Sequence, residues 1–325
     1  MKAGHPVSSS HAGASIRHLP VNLFASVMGL SGLALAWRLA HRDLDVPAFI
    51  GEAVGALAVV VFLLMAVGYL VKLAKHPEAV RAEFHHPVGG NFFGTIAISL
   101  LLLSSLIDPY SASTAQALWT IGALGAFALA FIAVSRLLKG QLESALVMPA
   151  WLLSGVATLD IAVTGRDMTM PWAPEVTLIA GALGAMLAPV LFVMIVSRLV
   201  HREPMAPGVT PSLMMLVAPF AVGFLAYTNI VGVDRFAAVL FYFGLFLFLV
   251  IAPKVFRPCI AFSPAWWGIS FPMAALASAA LKYAHHAGGL PLQTLAVVLL
   301  GVLSVALAVL FVRTVAIVLN GQLFR

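Results

Sequence analysis

Residues 114–138 read TAQALWTIGALGAFALAFIAVSRLL, an apolar stretch that carries no charge before Arg136. A helix of this length is long enough to cross the ~30 Å hydrocarbon core of a bilayer. The word VSRL near its end recurs at 196–199, at the end of another apolar stretch. The stretch therefore predicts a membrane helix that belongs to a repeat.

The repeat extends along the whole chain. Prolines mark the starts of alternate apolar stretches, 53 to 67 residues apart, and basic residues lie near the ends of the others, 56 to 64 residues apart. The prolines are Pro20, Pro87, Pro149, Pro211 and Pro264, and the basic residues are Lys72, Arg136, Arg198, Lys254 and Arg313. Such a period, with two apolar stretches in each copy, predicts helical hairpins around an axis.

Ten apolar segments follow this pattern, at roughly 20–40, 48–71, 88–107, 114–138, 145–164, 174–198, 210–229, 234–253, 264–285 and 291–318. We therefore predict an all-α integral membrane protein with ten transmembrane helices. They would form five helical hairpins with quasi-five-fold symmetry, with the odd-numbered helices lining a central pore. Residues 1–17, which are polar, are predicted to be a disordered cytoplasmic tail, and residues 18–325 a single ten-helix transmembrane channel domain.

Composition excludes an ordinary soluble protein, because 62% of the residues are apolar, 9% are charged and the mean hydropathy is +1.05. The single cysteine, Cys259, excludes an intramolecular disulfide. The net charge of +6 is spread over helix ends, so membrane orientation explains it better than nucleic-acid binding. Of 18 Lys and Arg residues, 13 lie on the predicted side of the N-terminus. This bias predicts a bacterial inner-membrane protein with cytoplasmic N- and C-termini.

Ionisable residues inside the apolar segments are scarce, and Asp160 is the clearest of them. It could carry a coupling proton or cap a helix near the outer interface, and the sequence leaves both interpretations open. The adjacent His85 and His86 are expected in a loop. The sequence contains no P-loop, GxSxG, HExxH or CxxC motif, so we predict no enzyme, no metal site and no cofactor.

Pro219 and Pro272 lie inside the apolar runs of predicted helices 7 and 9. A buried proline bends a helix or frees a carbonyl, which suggests helices that line an aqueous path, although such kinks can also serve packing alone. The positive ends of broken helices would favour anions without a basic residue in the path. Trp266 and Trp267 are expected as anchors at the membrane surface.

Five stretches together resemble one known family. They are FASVMGLSGLALAW (24–37), FHHPVGGNFFGTIAISLLLL (84–103), MPAWLLSGVATL (148–159), PSLMMLVAPFAVGFLAY (211–227) and SPAWWGISFPMAALA (263–277). The chain resembles, from about residue 20 to 318, the tellurite-resistance/dicarboxylate transporter family (TehA-like), which includes the slow-type anion channels of plants. The resemblance implies a homotrimer with one pore per subunit and a phenylalanine that closes the pore, at the position of Phe271. Family members commonly have two consecutive prolines where this chain has Pro219-Phe220, so Phe220 is expected to add bulk to the pore.

The function implied is a gated passive anion channel that passes small monovalent anions and is closed by a phenylalanine plug. The alternative is a proton-coupled secondary transporter of dicarboxylates or sulfite, in which Asp160 would carry the proton. The expected partners are small inorganic anions or dicarboxylates, the lipid bilayer and further copies of the chain, with no nucleic acid. The sequence shows no midplane arginine that could pair with a dicarboxylate, which favours the channel.

Overall fold

The computed structural model describes residues 16–140, 146–257 and 260–320. Nearly all of the predicted disordered tail, and Cys259, lie outside the described residues. Of that tail only its last two residues are described, in a short 3-10 turn, Ile16–His18.

The described residues form eleven α-helices, ten of which coincide with the ten predicted apolar segments. The helices are α1 (Phe24–Leu44), α2 (Phe49–Lys75), α3 (Pro77–His85), α4 (Gly94–Ile107), α5 (Ala112–Leu138), α6 (Leu152–Thr164), α7 (Ala173–His201), α8 (Ala218–Ile230), α9 (Arg235–Val255), α10 (Ser270–Ala287) and α11 (Leu290–Leu319). Among the described residues, eight helical segments are long and apolar enough to cross a membrane, so the chain is a multi-pass membrane protein. Helix α3 was not predicted, because it is short and carries several charged side chains.

Five helices form an inner ring in which each contacts the next: α1, α4, α6, α8 and α10, with α10 returning to α1. Each inner helix also packs against the long helix that follows it, namely α2, α5, α7, α9 and α11. The most apolar parts of the inner segments containing α1, α4 and α8 are 61–78% buried, whereas those of the outer helices are 17–33% buried. The inner helices are thus the odd-numbered members of the predicted set. The exact five-fold symmetry stays a prediction.

Every inner helix is preceded by a 3-10 segment that runs directly into it: Val21–Leu23, Gly89–Phe93, Pro149–Trp151, Pro207–Val217 and Pro264–Ile269. Pro219 and Pro272 lie in the first turns of α8 and α10. Both prolines therefore lie just after the point where a 3-10 segment passes into an α-helix. That they kink the inner helices stays a prediction. The prolines inside regular helix are Pro189 of α7 and Pro253 of α9, both in outer helices.

Hydroxyl groups support four of these 3-10 to α transitions. Each donates a hydrogen bond to the carbonyl three residues earlier: Ser26 to Leu23 (2.7 Å), Thr95 to Phe92 (2.6 Å), Ser154 to Trp151 (2.9 Å) and Ser270 to Trp267 (2.7 Å). Inside a bilayer, a carbonyl near a change of helical pattern cannot turn to water for a donor. The hydroxyls therefore stabilise the inner helices where their hydrogen-bonding pattern changes.

Helices α1 and α10 approach each other closely through glycines. A Cβ atom on Gly32 would lie 2.7 Å from the Cβ of Ala274, and one on Gly29 would overlap the side chain of Ser270. The Ser270 hydroxyl also lies 3.2 Å from the carbonyl oxygen of Ala25 in α1. This contact fixes the start of α10, which carries Phe271, against α1.

Candidate functional site: a basic vestibule beside a phenylalanine

Two cavities lie inside the ring of inner helices. The larger, about 500 Å³, is bordered by residues of all five inner helices and is called the vestibule here. The smaller, about 20 Å³, is bordered by uncharged residues near the N-terminal ends of the same helices and is called the narrow section. The vestibule extends to Arg42 and Lys282, near the C-terminal ends of α1 and α10. It therefore lies toward the face opposite to the first residues of α1 and the last residues of α11.

Phe271 borders both cavities and therefore lies between the vestibule and the narrow section. Its side chain is 5% exposed, and it is the second residue of α10. The hydroxyl of its neighbour Ser270 lies 3.2 Å from a carbonyl oxygen of α1, and its other neighbour, Pro272, borders the narrow section. An uncharged ring at a constriction in an aqueous path is a barrier to wetting and so to ions. That Phe271 closes the path stays a prediction.

Pro219 and Phe220 border neither cavity. The ring of Phe220 packs instead against Phe192 of α7 and Phe243 of α9, with centroids 5.1 and 4.5 Å away. The expectation that Phe220 adds bulk to the pore is corrected by this placement, because its side chain leaves α8 toward the outer helices. Of the three residues expected to line or kink the pore, only Pro272 borders a central cavity.

Charged side chains line the vestibule in a basic majority: Arg38, Arg42, Arg166 and Lys282 against Asp160 and Asp167. The sequence pattern suggested a path without basic residues. The structure corrects this, since the side chains of Arg38 and Lys282 lie on the vestibule wall. The helical period held a usable signal, because Ser278 and Lys282 are one turn apart on the same vestibule-facing side of α10.

Two of the arginines are paired with carboxylates. Arg38 donates two hydrogen bonds to Glu52, both of 2.9 Å, and another of 3.0 Å to the carbonyl of Leu106 at the end of α4. Arg42 binds the carboxylate of Asp43 at 2.7 Å. Tyr110, in the loop after α4, also donates to Glu52, and this hydrogen bond raises the pKa of Tyr110 above its usual value. The contacts of Arg38 therefore link α1 to α2 and α4 at the edge of the vestibule.

Lys282 and Arg166 form no salt bridge within the described part of the chain. The Nζ atom of Lys282 donates to Oδ1 of Asn229 at 2.7 Å, and Nδ2 of Asn229 donates to the carbonyl of Val163 at 2.7 Å. This chain of bonds joins α10, α8 and α6 across the vestibule wall. Among the described residues, no carboxylate lies within salt-bridge distance of Lys282, which suits its charge to attracting an anion weakly.

Asp160 lies on the vestibule wall and is 1% exposed. Its side chain accepts no hydrogen bond from the described residues, and its Oδ2 atom is buried without a partner. The interpretation of Asp160 as a helix cap is therefore wrong, since a cap accepts a backbone N–H. Among the described residues, the one side chain that bonds to Asp160 is that of Thr164, whose hydroxyl donates to the Asp160 carbonyl at 2.7 Å.

Trp267 borders a central cavity, which the sequence did not reveal. It is 1% exposed, borders the narrow section and donates from Nε1 to the hydroxyl of Thr314 in α11 at 2.8 Å. Trp267 was expected to be an anchor at the membrane surface, but its burial shows that it is not. Its neighbour Trp266 is partly exposed and fits that role better.

The sequence profile of the SLAC1 family, described as voltage-dependent anion channel, matches residues 18–315, which include every residue that borders the two cavities. The chain belongs to the SLAC1 family. This confirms the resemblance seen in the sequence, since the relatives of the chain include a tellurite-resistance protein and S-type anion channels.

Three SLAC1-family relatives illustrate the range. The S-type anion channels SLAH3 and SLAH2 of Arabidopsis thaliana are 29% and 30% identical over 91% and 87% of this chain. The aligned regions cover 48% and 56% of those proteins, so the chain spans about half the length of these plant relatives. The tellurite resistance protein TehA homolog of Haemophilus influenzae is 26% identical over 94% of this chain and 93% of its own length.

Proposed function

We propose that this SLAC1-family chain is a gated passive anion channel for small monovalent anions, with a pore in each subunit of a homotrimer and Phe271 as its plug. The observation that carries the proposal is the position of Phe271, between the vestibule and the narrow section. The names of the relatives SLAH3 and SLAH2 support an anion as the permeant species.

Anion selectivity would arise in two stages. In the vestibule, the uncompensated charge of Lys282 and Arg166 raises the local anion concentration. In the narrow section, the lining is uncharged, so pore width and the cost of dehydration would discriminate between anions. A weak site followed by an uncharged constriction allows an anion to enter and leave, whereas a strong fixed site would trap it.

The test is the Phe271→Ala variant in planar bilayers with chloride and nitrate. Shortening this side chain joins the two cavities, so we expect the chloride current to rise about tenfold or more, equivalent to ~1.4 kcal/mol off the barrier. Phe220→Ala is the matched control, because it shortens a phenylalanine in the first turn of another inner helix that borders neither cavity. It should leave the current close to that of the wild type.

Equal currents from wild type and Phe271→Ala, with both proteins folded, would show that Phe271 does not close the pore. Phe271→Leu guards against misfolding, because it keeps an apolar side chain and should give an intermediate current. Similar permeability to potassium and chloride in the open variant would remove the anion-channel assignment itself.

Asp160 favours a second candidate function, proton-coupled secondary transport of a dicarboxylate or sulfite. A buried carboxyl group without a partner, on the wall of a solute path, is the type of group that binds and releases a coupling proton. Asp160→Asn keeps the shape of the side chain and removes the titration.

In liposomes with an imposed pH difference, the two functions give opposite results for Asp160→Asn. A channel should conduct nearly as the wild type does and accumulate nothing against a gradient. A carrier should accumulate malate or sulfite as wild type and lose that accumulation in the variant.

A further inference from the structure

A second large concavity lies on the outside of the helical ring, away from both central cavities. It is a groove of about 740 Å³ between α11, the end of α9 and the 3-10 segment that leads into α10. One wall is a row of exposed valines of α11: Val298, Val302, Val305 and Val309, 41–66% exposed. Gly301 leaves a notch in this wall, since no atom lies within 4 Å of the position its Cβ would take.

The groove has the length of half a bilayer. Val298 and Arg313 mark its extent along α11, and a rise of about 1.5 Å per residue gives about 22 Å between them. Half of a bilayer of about 40–45 Å, headgroups included, has the same length. A single acyl chain therefore fits along the valines, with its headgroup at the level of Arg313.

Two guanidinium groups, of Arg257 and Arg313, stand in this otherwise mostly apolar groove. Neither forms a salt bridge with any described residue. Arg313 lies with its guanidinium carbon 5.8 Å from the ring centroid of Phe262, in the segment before α10. Both charges thus lack a carboxylate within the described part of the chain.

The first repeat has a carboxylate partner for its basic residue, whereas the last repeat has none among the described residues. Lys72 of α2 occupies the position in its hairpin that Arg313 occupies in α11. Its Nζ atom binds the carboxylate of Glu83 at 2.6 Å and the carbonyl of Leu19, before α1, at 2.7 Å. Arg313 also contacts its own entry segment, through the ring of Phe262, but has no carboxylate there among the described residues. An anion supplied from outside the chain would complete the arrangement.

We propose that this groove binds one anionic phospholipid, with its phosphate between Arg257 and Arg313 and an acyl chain along the valines of α11. The charge pattern selects this occupant, because the paired cations at the end of an apolar groove match a lipid with a negative headgroup. The orientation predicted from the charge bias places the site in the cytoplasmic leaflet, where anionic lipids are enriched.

Native mass spectrometry of the delipidated full chain tests the site, with titration of phosphatidylglycerol or phosphatidylcholine of identical acyl chains. We expect one tightly held phosphatidylglycerol per chain. The double variant Arg257→Gln, Arg313→Gln should weaken its binding by about 25-fold, or about fivefold per arginine, and leave phosphatidylcholine unchanged. Arg202→Gln is the matched control, because Arg202 follows α7 at the same face, outside the groove.

A second variant separates the contribution of the acyl chain to binding from that of the lipid headgroup. Gly301→Leu fills the notch and leaves both arginines in place, so it should weaken both lipids and keep the preference for phosphatidylglycerol. Equal binding of both lipids with no effect of the double variant would overturn the proposal. Full competition by soluble glycerol phosphate would also overturn it, because it would indicate a site for free anions. A variant that loses the mass of the oligomer and keeps its lipid would overturn it too, because it would indicate that a second copy of the chain occupies the groove.

Discussion

At the scale of single residues, a substitution of Lys282 can distinguish the effect of the vestibule's charge on conductance from the effect of its shape. Its ammonium group is held by Asn229 and has no carboxylate partner among the described residues. Lys282→Met keeps most of the side-chain volume and removes the charge. We expect chloride conductance at low ionic strength to fall by roughly fivefold, the effect of ~1 kcal/mol on local anion concentration.

The salt dependence of single-channel conductance checks this prediction. The loss should shrink at high salt, because mobile ions screen the vestibule. Lys75→Met is the matched control, since Lys75 is an exposed residue at the end of outer helix α2, outside the vestibule. An equal loss at low and high salt would assign Lys282 a structural role instead.

Phe271 and Phe220 show why side-chain direction was hard to predict at this scale. Both are phenylalanines beside a proline in the first turn of an inner helix, yet one lies between the central cavities and the other faces α7 and α9. Residues of a 3-10 helix turn by about 120° each and those of an α-helix by about 100°. The 3-10 segments before α8 and α10 differ in length, so a sequence pattern read with one period cannot fix the direction of both rings.

At the scale of helices, the spacing of α1 and α10 sets the position of Phe271. Gly32→Ala would place two Cβ atoms 2.7 Å apart, so α10 must shift away from α1. We expect a loss of about 1–3 kcal/mol of stability, as for other overpacked cores, together with altered conductance. Thermal unfolding in detergent and single-channel recording measure the two effects.

Gly223→Ala is the matched control for this variant. Gly223 also lies in an inner helix, but no atom is within 4 Å of the position of its Cβ. The control should be neutral or slightly stabilising, because alanine favours a helix more than glycine does. If Gly32→Ala behaves as Gly223→Ala does, the close contact of α1 and α10 is not needed to hold the plug.

At the scale of the whole molecule, each chain encloses its own pair of central cavities. The family resemblance implies a homotrimer, whose mass light scattering measures, and cavities enclosed by each chain predict that its three pores are independent. When Phe271→Ala subunits are mixed with wild type, single-channel records should show unit steps equal to those of the pure variant. A continuous range of intermediate amplitudes would indicate one pore shared between subunits.

The sequence by itself determined the membrane class, the ten apolar helices, the family and the identity of Phe271 as the candidate plug. These follow from composition, from segment length against bilayer thickness and from five family-like stretches in order. The tertiary structure decided which side chains share a space. The vestibule brings together Asp160, Asn229 and Lys282 from α6, α8 and α10, and Arg166 from the turn after α6, whereas the ring of Phe220 faces the outer helices. Helical periodicity relates residues along one helix, whereas the rotation of each helix is set by packing against its neighbours.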